Sequence, residues 1–115
     1  MSAIRRFMIV EAVSFAVAAR IHSGHLIAGY EHPRARIAET VIALVLLVGL
    51  AVTWIRPALL RPVGLAAQGF ALLGTLVGLF TIAIGIGPRT LPDVLYHVVI
   101  VVVLALGLRV AKRAA

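Results

Sequence analysis

Residues 63–86 read VGLAAQGFALLGTLVGLFTIAIGI, 24 residues with no charged side chain. As a helix rising ~1.5 Å per residue, the run reaches ~36 Å. That is enough to cross a hydrocarbon core of ~30 Å. Three further apolar stretches flank it: about 4–22, 36–55 and 91–110. Each has the length of a span, and in lipid only helices satisfy every backbone group from within a segment. The Val-rich run 98–103 favours a strand in water, but the same requirement overrides that preference. The connections carry Pro57, Pro62, Pro88 and Pro92 and are short. Short connections make successive helices antiparallel. The expected fold is all-α: one domain over residues 1–115, a four-transmembrane-helix bundle running up, down, up, down.

Composition supports this reading. Of 115 residues, 63% are hydrophobic and 13% charged, and the mean hydropathy is +1.13. So small a chain has too little interior to hide that much apolar surface from water. A water-soluble enzyme, a disulfide-stapled module and a disordered tail are excluded. There is no Cys, so thiolate sites and Cys nucleophiles are excluded too. The net charge of +7 does not form a nucleic-acid patch, because the Arg residues punctuate the ends of apolar runs. The start, MSAIRRFMIV, is basic like a signal peptide, but Glu11 interrupts the apolar stretch that follows. It reads as a retained first helix.

Arg5, Arg6, Arg56, Arg61, Arg109, Lys112 and Arg113 fall on one side of the four spans, and Arg20, Arg34, Arg36 and Arg89 on the other. The positive-inside rule then puts both termini in the cytoplasm, as a multi-pass protein of the cell inner (plasma) membrane. Tyr30 and Tyr96 are expected near the outer interface and Trp54 near the inner one. The excess of Arg over Lys suggests a bacterial genome rich in GC.

Polar residues inside spans are costly and mark sites. On the inner side, Glu11 of the first span and Gln68 of the third lie at matching depth. Either a protonated Glu11 donates to the Gln68 carbonyl oxygen, or an ionised one accepts from its amide. On the outer side lie all four His residues and three of the four acids. His22, Glu39, Asp93 and His97 can converge there, with His25, Glu31 and His32 in the loop above. Glu11, Phe15, Ala18 and His22 share a helix face, and Asp93 and His97 share another. Three chemistries fit the cluster. One is an ionic lock in which Arg20, Arg34 or Arg36 pairs Glu39 and Asp93. Another is a metal or haem site on His22 and His97, with Asp93 orienting His97. The last is a ligand or transport mouth lined by titrating His.

On the third span, Ala67, Ala71, Gly74, Gly78, Thr81 and Gly85 recur at spacings of three and four. Such a stripe lets helices approach closely, within the bundle or in a dimer. No nucleophile elbow, phosphate loop or catalytic triad is present, so no catalytic residue is assigned.

The segments RIAETVIALVLLVGLAVTW (36–54) and AAQGFALLGTLVGLFTIAIGIGPRTLPDVLYH (66–97) resemble small uncharacterised four-span bacterial integral membrane proteins. The resemblance implies the fold and carries no activity. The expected role is non-enzymatic: the outer cluster binds a ligand, ion or partner. The alternatives are a b-type haem or metal-binding redox subunit and an oligomeric small transporter or channel. The expected partners are the lipid bilayer and another membrane chain, a second copy included. Nucleic acid is not among them.

Overall fold

The computed structural model describes residues 1–114, and all regular structure in them is helical. Four α-helices follow in order: α1 (Ala3–His22), α2 (Pro33–Ile55), α3 (Leu60–Ala83) and α4 (Leu91–Arg113). A short 3₁₀ turn, Pro57–Leu59, leads into α3. Each helix packs on the next, and α4 closes against α1. The α1–α3 diagonal is in contact, while α2 and α4 stay apart.

The helix ends follow local chemistry. Ser2 caps α1 by accepting from the Arg5 amide at 3.3 Å. Helix α2 begins at Pro33 rather than near residue 36, because the His32 ring accepts from the Ala35 amide at 3.1 Å. A proline at the first helical position loses no hydrogen bond. Thr90 and Asp93 form a reciprocal capping box at the start of α4. The C-terminal end of α3 corrects the sequence reading. The helix stops at Ala83, and Gly85 sits beyond it at φ +86°. The Ile86 and Gly87 amides fold back onto the Thr81 carbonyl, each at 2.9 Å. Gly85 is therefore a turn residue of the left-handed region and not part of the small-residue stripe.

Buried positions step by three and four along every helix: Ile4, Met8, Glu11, Phe15, Ala18 and His22 on α1, and Asp93, His97, Ile100, Leu104, Gly107 and Ala111 on α4. That seam packs as a bundle core. Met8, Leu46, Ala71 and Leu104 are fully buried at its middle. The outward faces are apolar instead of charged, with Val13, Leu44, Val48, Leu73, Phe80, Val99 and Val102 all exposed. Three segments, Pro33–Ile55, Pro57–Ala83 and Leu91–Arg113, are long and apolar enough to cross a membrane. Helix α1 has 20 residues but carries Arg5, Arg6, Glu11 and Arg20, which keeps it out of that set.

Small residues set the interhelical spacing. A Cβ at Gly64 would stand 2.6 Å from Ile4 Cγ2, so α1 and α3 meet on bare backbone. Along the rest of the stripe, Ala67 and Ala71 are buried, Gly74 faces Ile42 and Gly78 faces His97. These contacts lie within the bundle. Two substitutions separate close approach from helix propensity. Gly64→Ala is expected to cost about 1–3 kcal/mol by overpacking. Gly69→Ala, with nothing within 4 Å, is expected to gain about 0.5–1 kcal/mol from the stiffer backbone. Reversible unfolding in mixed micelles measures both, and equal effects would remove the close contact as the cause.

Candidate functional site

The site is built at the end of the bundle where α1 stops and α2 and α4 begin. His22 is the last residue of α1, and its ring lies between two carboxylates. Nδ1 meets Glu39 Oε1 of α2, and Nε2 lies 3.0 Å from Asp93 Oδ1 of α4. All three side chains are almost wholly buried. A neutral imidazole carries one N–H, so two carboxylate contacts require a doubly protonated ring or a protonated carboxyl. The second oxygen of Asp93 accepts from the Thr90 amide at 3.2 Å and from the Thr90 hydroxyl. The second oxygen of Glu39 is buried with no partner.

This clasp revises three expectations. The lock is formed by histidine and not arginine: among the described residues, His22 supplies the base of both ion pairs. Arg20, Arg34 and Arg36 are exposed, and solvation serves them better than burial. Secondly, the Asp93 carboxylate orients His22 and not His97. The His97 Nδ1–H instead donates to the Asp93 backbone carbonyl at 2.7 Å. Finally, the metal or haem pairing of His22 with His97 does not fit. Both His22 nitrogens are engaged, so neither has a free lone pair for a metal. The ring neighbours of His22 and His97 are His32 (6.3 Å) and Tyr96 (5.7 Å) respectively. Among the described residues no group of three His, Asp or Glu side chains is arranged to hold a metal ion.

His32 ties the loops together. Its Nδ1 accepts from Ala35, so the proton sits on Nε2, which donates to the Ile86 carbonyl at 3.2 Å. His25 and Glu31 stay exposed in the first loop, where Glu31 accepts from the Gly29 amide.

Beside the clasp lies a cavity of about 290 Å³ between α2, α3 and α4. Its polar lining residues are His32, Arg34, Glu39, Thr75, Thr81, Tyr96 and His97, and Phe15, Ile42, Val77 and Ile86 make apolar wall. Gly78 leaves room for the His97 ring, since a Cβ there would stand 3.2 Å from Nε2. Tyr96 also departs from expectation. Its ring packs edge-on against Phe15 at 6.2 Å, and its hydroxyl is buried without a partner. It points into the bundle rather than anchoring at an interface. A larger groove of about 610 Å³ runs between α1 and α4 and is lined mainly by apolar side chains. Of its polar lining, the ring nitrogens of His22 and the carboxylate oxygens of Asp93 are already paired, and Tyr30 and Tyr96 contribute ring surface.

At the other end, Glu11 and Gln68 are fully buried and meet over Gly107. The Gln68 amide nitrogen donates to the carbonyls of Gly64 (3.0 Å) and Gly107 (3.4 Å). It is therefore not the donor that an ionised Glu11 would need. Gln68 Oε1 and both Glu11 oxygens have no donor. A protonated Glu11 donating to Gln68 Oε1 is the pattern that this arrangement accommodates. Nearby, Arg5 clamps α1 to the end of α2. It donates to the Thr53 hydroxyl (3.1 Å) and carbonyl (2.6 Å) and lies 5.6 Å from the Trp54 ring centre. The sequence places Arg5 only among the charges that punctuate the ends of apolar runs; the facing of α1 and α2 identifies its partner.

Comparison with protein-family models, curated proteins and solved structures finds no match to this chain.

His22→Ala strands two buried carboxylates against each other and is expected to cost about 3–5 kcal/mol, the usual result of breaking a buried pair. Wild-type stability in that variant would dissolve the clasp. At the opposite end of the bundle, Glu11→Gln keeps a donor for Gln68 and should leave stability near wild type. Glu11→Leu removes it and should cost about 1–2 kcal/mol. Equal unfolding midpoints for these two variants would separate Glu11 from Gln68.

Proposed function

We propose that this chain is a four-span, non-enzymatic membrane protein whose outer end binds a small ligand in the cavity beside the His22 clasp. The observation that carries the reading is the buried Glu39 Oε2 and Tyr96 hydroxyl, both unpartnered, on residues that line one cavity. Buried polar atoms are normally satisfied, so exceptions point to a missing partner. A ligand that supplies it would be held against a rigid wall, because Glu39 is pinned through its other oxygen by His22.

The membrane setting rests on three apolar helices of spanning length and on outward faces that water would not tolerate. In this reading α1 is the fourth span. Its buried seam carries Glu11 and its ends carry the Arg residues, which can reach toward headgroups. The balance of Arg and Lys supports an orientation with both termini in the cytoplasm of a plasma membrane and the clasp on the outer side.

Two measurements test this. A reporter fused at the C-terminus should be active only in the cytoplasm, and one inserted in the 26–29 loop only outside; the reverse pattern would overturn the orientation. In nanodiscs, benzyl alcohol should shift the amide resonances of Gly74 and Gly78. Ala38→Phe, at an exposed lining position, should abolish the shift by filling the mouth. Shifts that persist in the filled variant would place the binding elsewhere.

A further inference from the structure

The hydrogen-bond pattern around the cavity specifies its occupant more narrowly. We infer that the cavity takes a small organic ammonium: one amine head on a compact apolar or aromatic body. The inference rests on the proposed ligand-binding reading and adds the chemical class.

The lining has acceptors and almost no free donors. The Thr75 hydroxyl donates to the Ala71 carbonyl and the Thr81 hydroxyl to the Gly78 carbonyl, each at 2.7 Å. Both oxygens are left with lone pairs only. The His97 Nδ1–H is held by the Asp93 carbonyl, so Nε2 of the neutral ring is an acceptor. Glu39 Oε2 is an acceptor without a donor. His32 has both nitrogens engaged. The remaining donors are the Tyr96 hydroxyl and Arg34, which is exposed and solvated at the rim. A ligand that is itself an acceptor, such as a carboxylate or phosphate, would meet lone pairs on nearly every side. An ammonium offers three donors and no acceptor, which is the complement of this wall.

Charge points the same way. The fewest protons that satisfy both His22 contacts are two, shared among His22, Glu39 and Asp93. That leaves the clasp with one net negative charge. A cation bound at Glu39 Oε2 neutralises it through a charge-assisted hydrogen bond, stronger than a neutral one. The Phe15 and Tyr96 rings add aromatic surface that favours a cation. The volume of about 290 Å³ limits the guest to a small molecule.

The test compares three isosteric probes on the intact chain in zwitterionic phosphatidylcholine nanodiscs, with empty discs as blank. Calorimetric titration is run with benzylamine, benzyl alcohol and benzoate near neutral pH. Benzylamine should bind roughly tenfold tighter than benzyl alcohol, the difference between a charge-assisted and a neutral hydrogen bond. Benzoate should not bind. In Glu39→Gln the preference for the amine should vanish, with benzylamine and benzyl alcohol binding equally to that variant. Should that variant fail to fold, the three-probe comparison on the wild-type chain decides alone. Alcohol binding as tightly as amine, or benzoate binding at all, would overturn the ammonium inference and leave a neutral or anionic ligand in the same cavity. No binding by any of the three would overturn the ligand-binding reading as well.

Discussion

A single imidazole joins three helices. His22 ends α1, Glu39 comes from the second turn of α2, and Asp93 from the first turn of α4. Their contacts are buried, so each group depends on the others for the hydrogen bonds that water would otherwise supply. The clasp ties the end of α1 to the starts of α2 and α4. It also holds Glu39 with one oxygen engaged and the other free. Of the clasp residues, Glu39 also lines the cavity. The Thr90 cap of α4 belongs to the same network, because one Asp93 oxygen serves the cap and the other serves His22.

The opposite end solves the same problem with different chemistry. Glu11 and Gln68 are buried where only backbone carbonyls and each other are near. Close approach is possible because Gly107 has no side chain: a Cβ there would collide with Gln68 Oε1 and stand 3.0 Å from Glu11 Oε2. Gly64 does the same for Ile4. Arg5 then fastens α1 to the last turn of α2, and its length lets the charge stay near solvent while its stem packs. The bundle therefore has a polar layer near each end and an apolar middle of Met8, Leu46, Ala71 and Leu104. Polar layers that can satisfy themselves in one register favour that register over neighbouring ones.

The helices and their approximate extents were legible in the sequence. Apolar runs of spanning length leave the backbone no alternative to helix in lipid, and proline-bearing connections leave little freedom in topology. Helix faces were legible too, because a repeat of three and four places Glu11 with His22, and Asp93 with His97, whatever surrounds them. What periodicity cannot supply is the rotation and depth of one helix relative to another. Only the packed bundle decided that Asp93 reaches across to His22 while His97 bonds backwards within its own helix. It also decided that the Gln68 amide prefers two carbonyls to Glu11, and that Tyr96 turns inward onto Phe15. The end of α3 at Ala83, ahead of the Gly85 turn, and the arginine-free clasp belong to the same class. Each depends on which partner lies nearest in three dimensions, and hydrogen bonds of a few ångströms are decided by those distances and not by spacing along the chain.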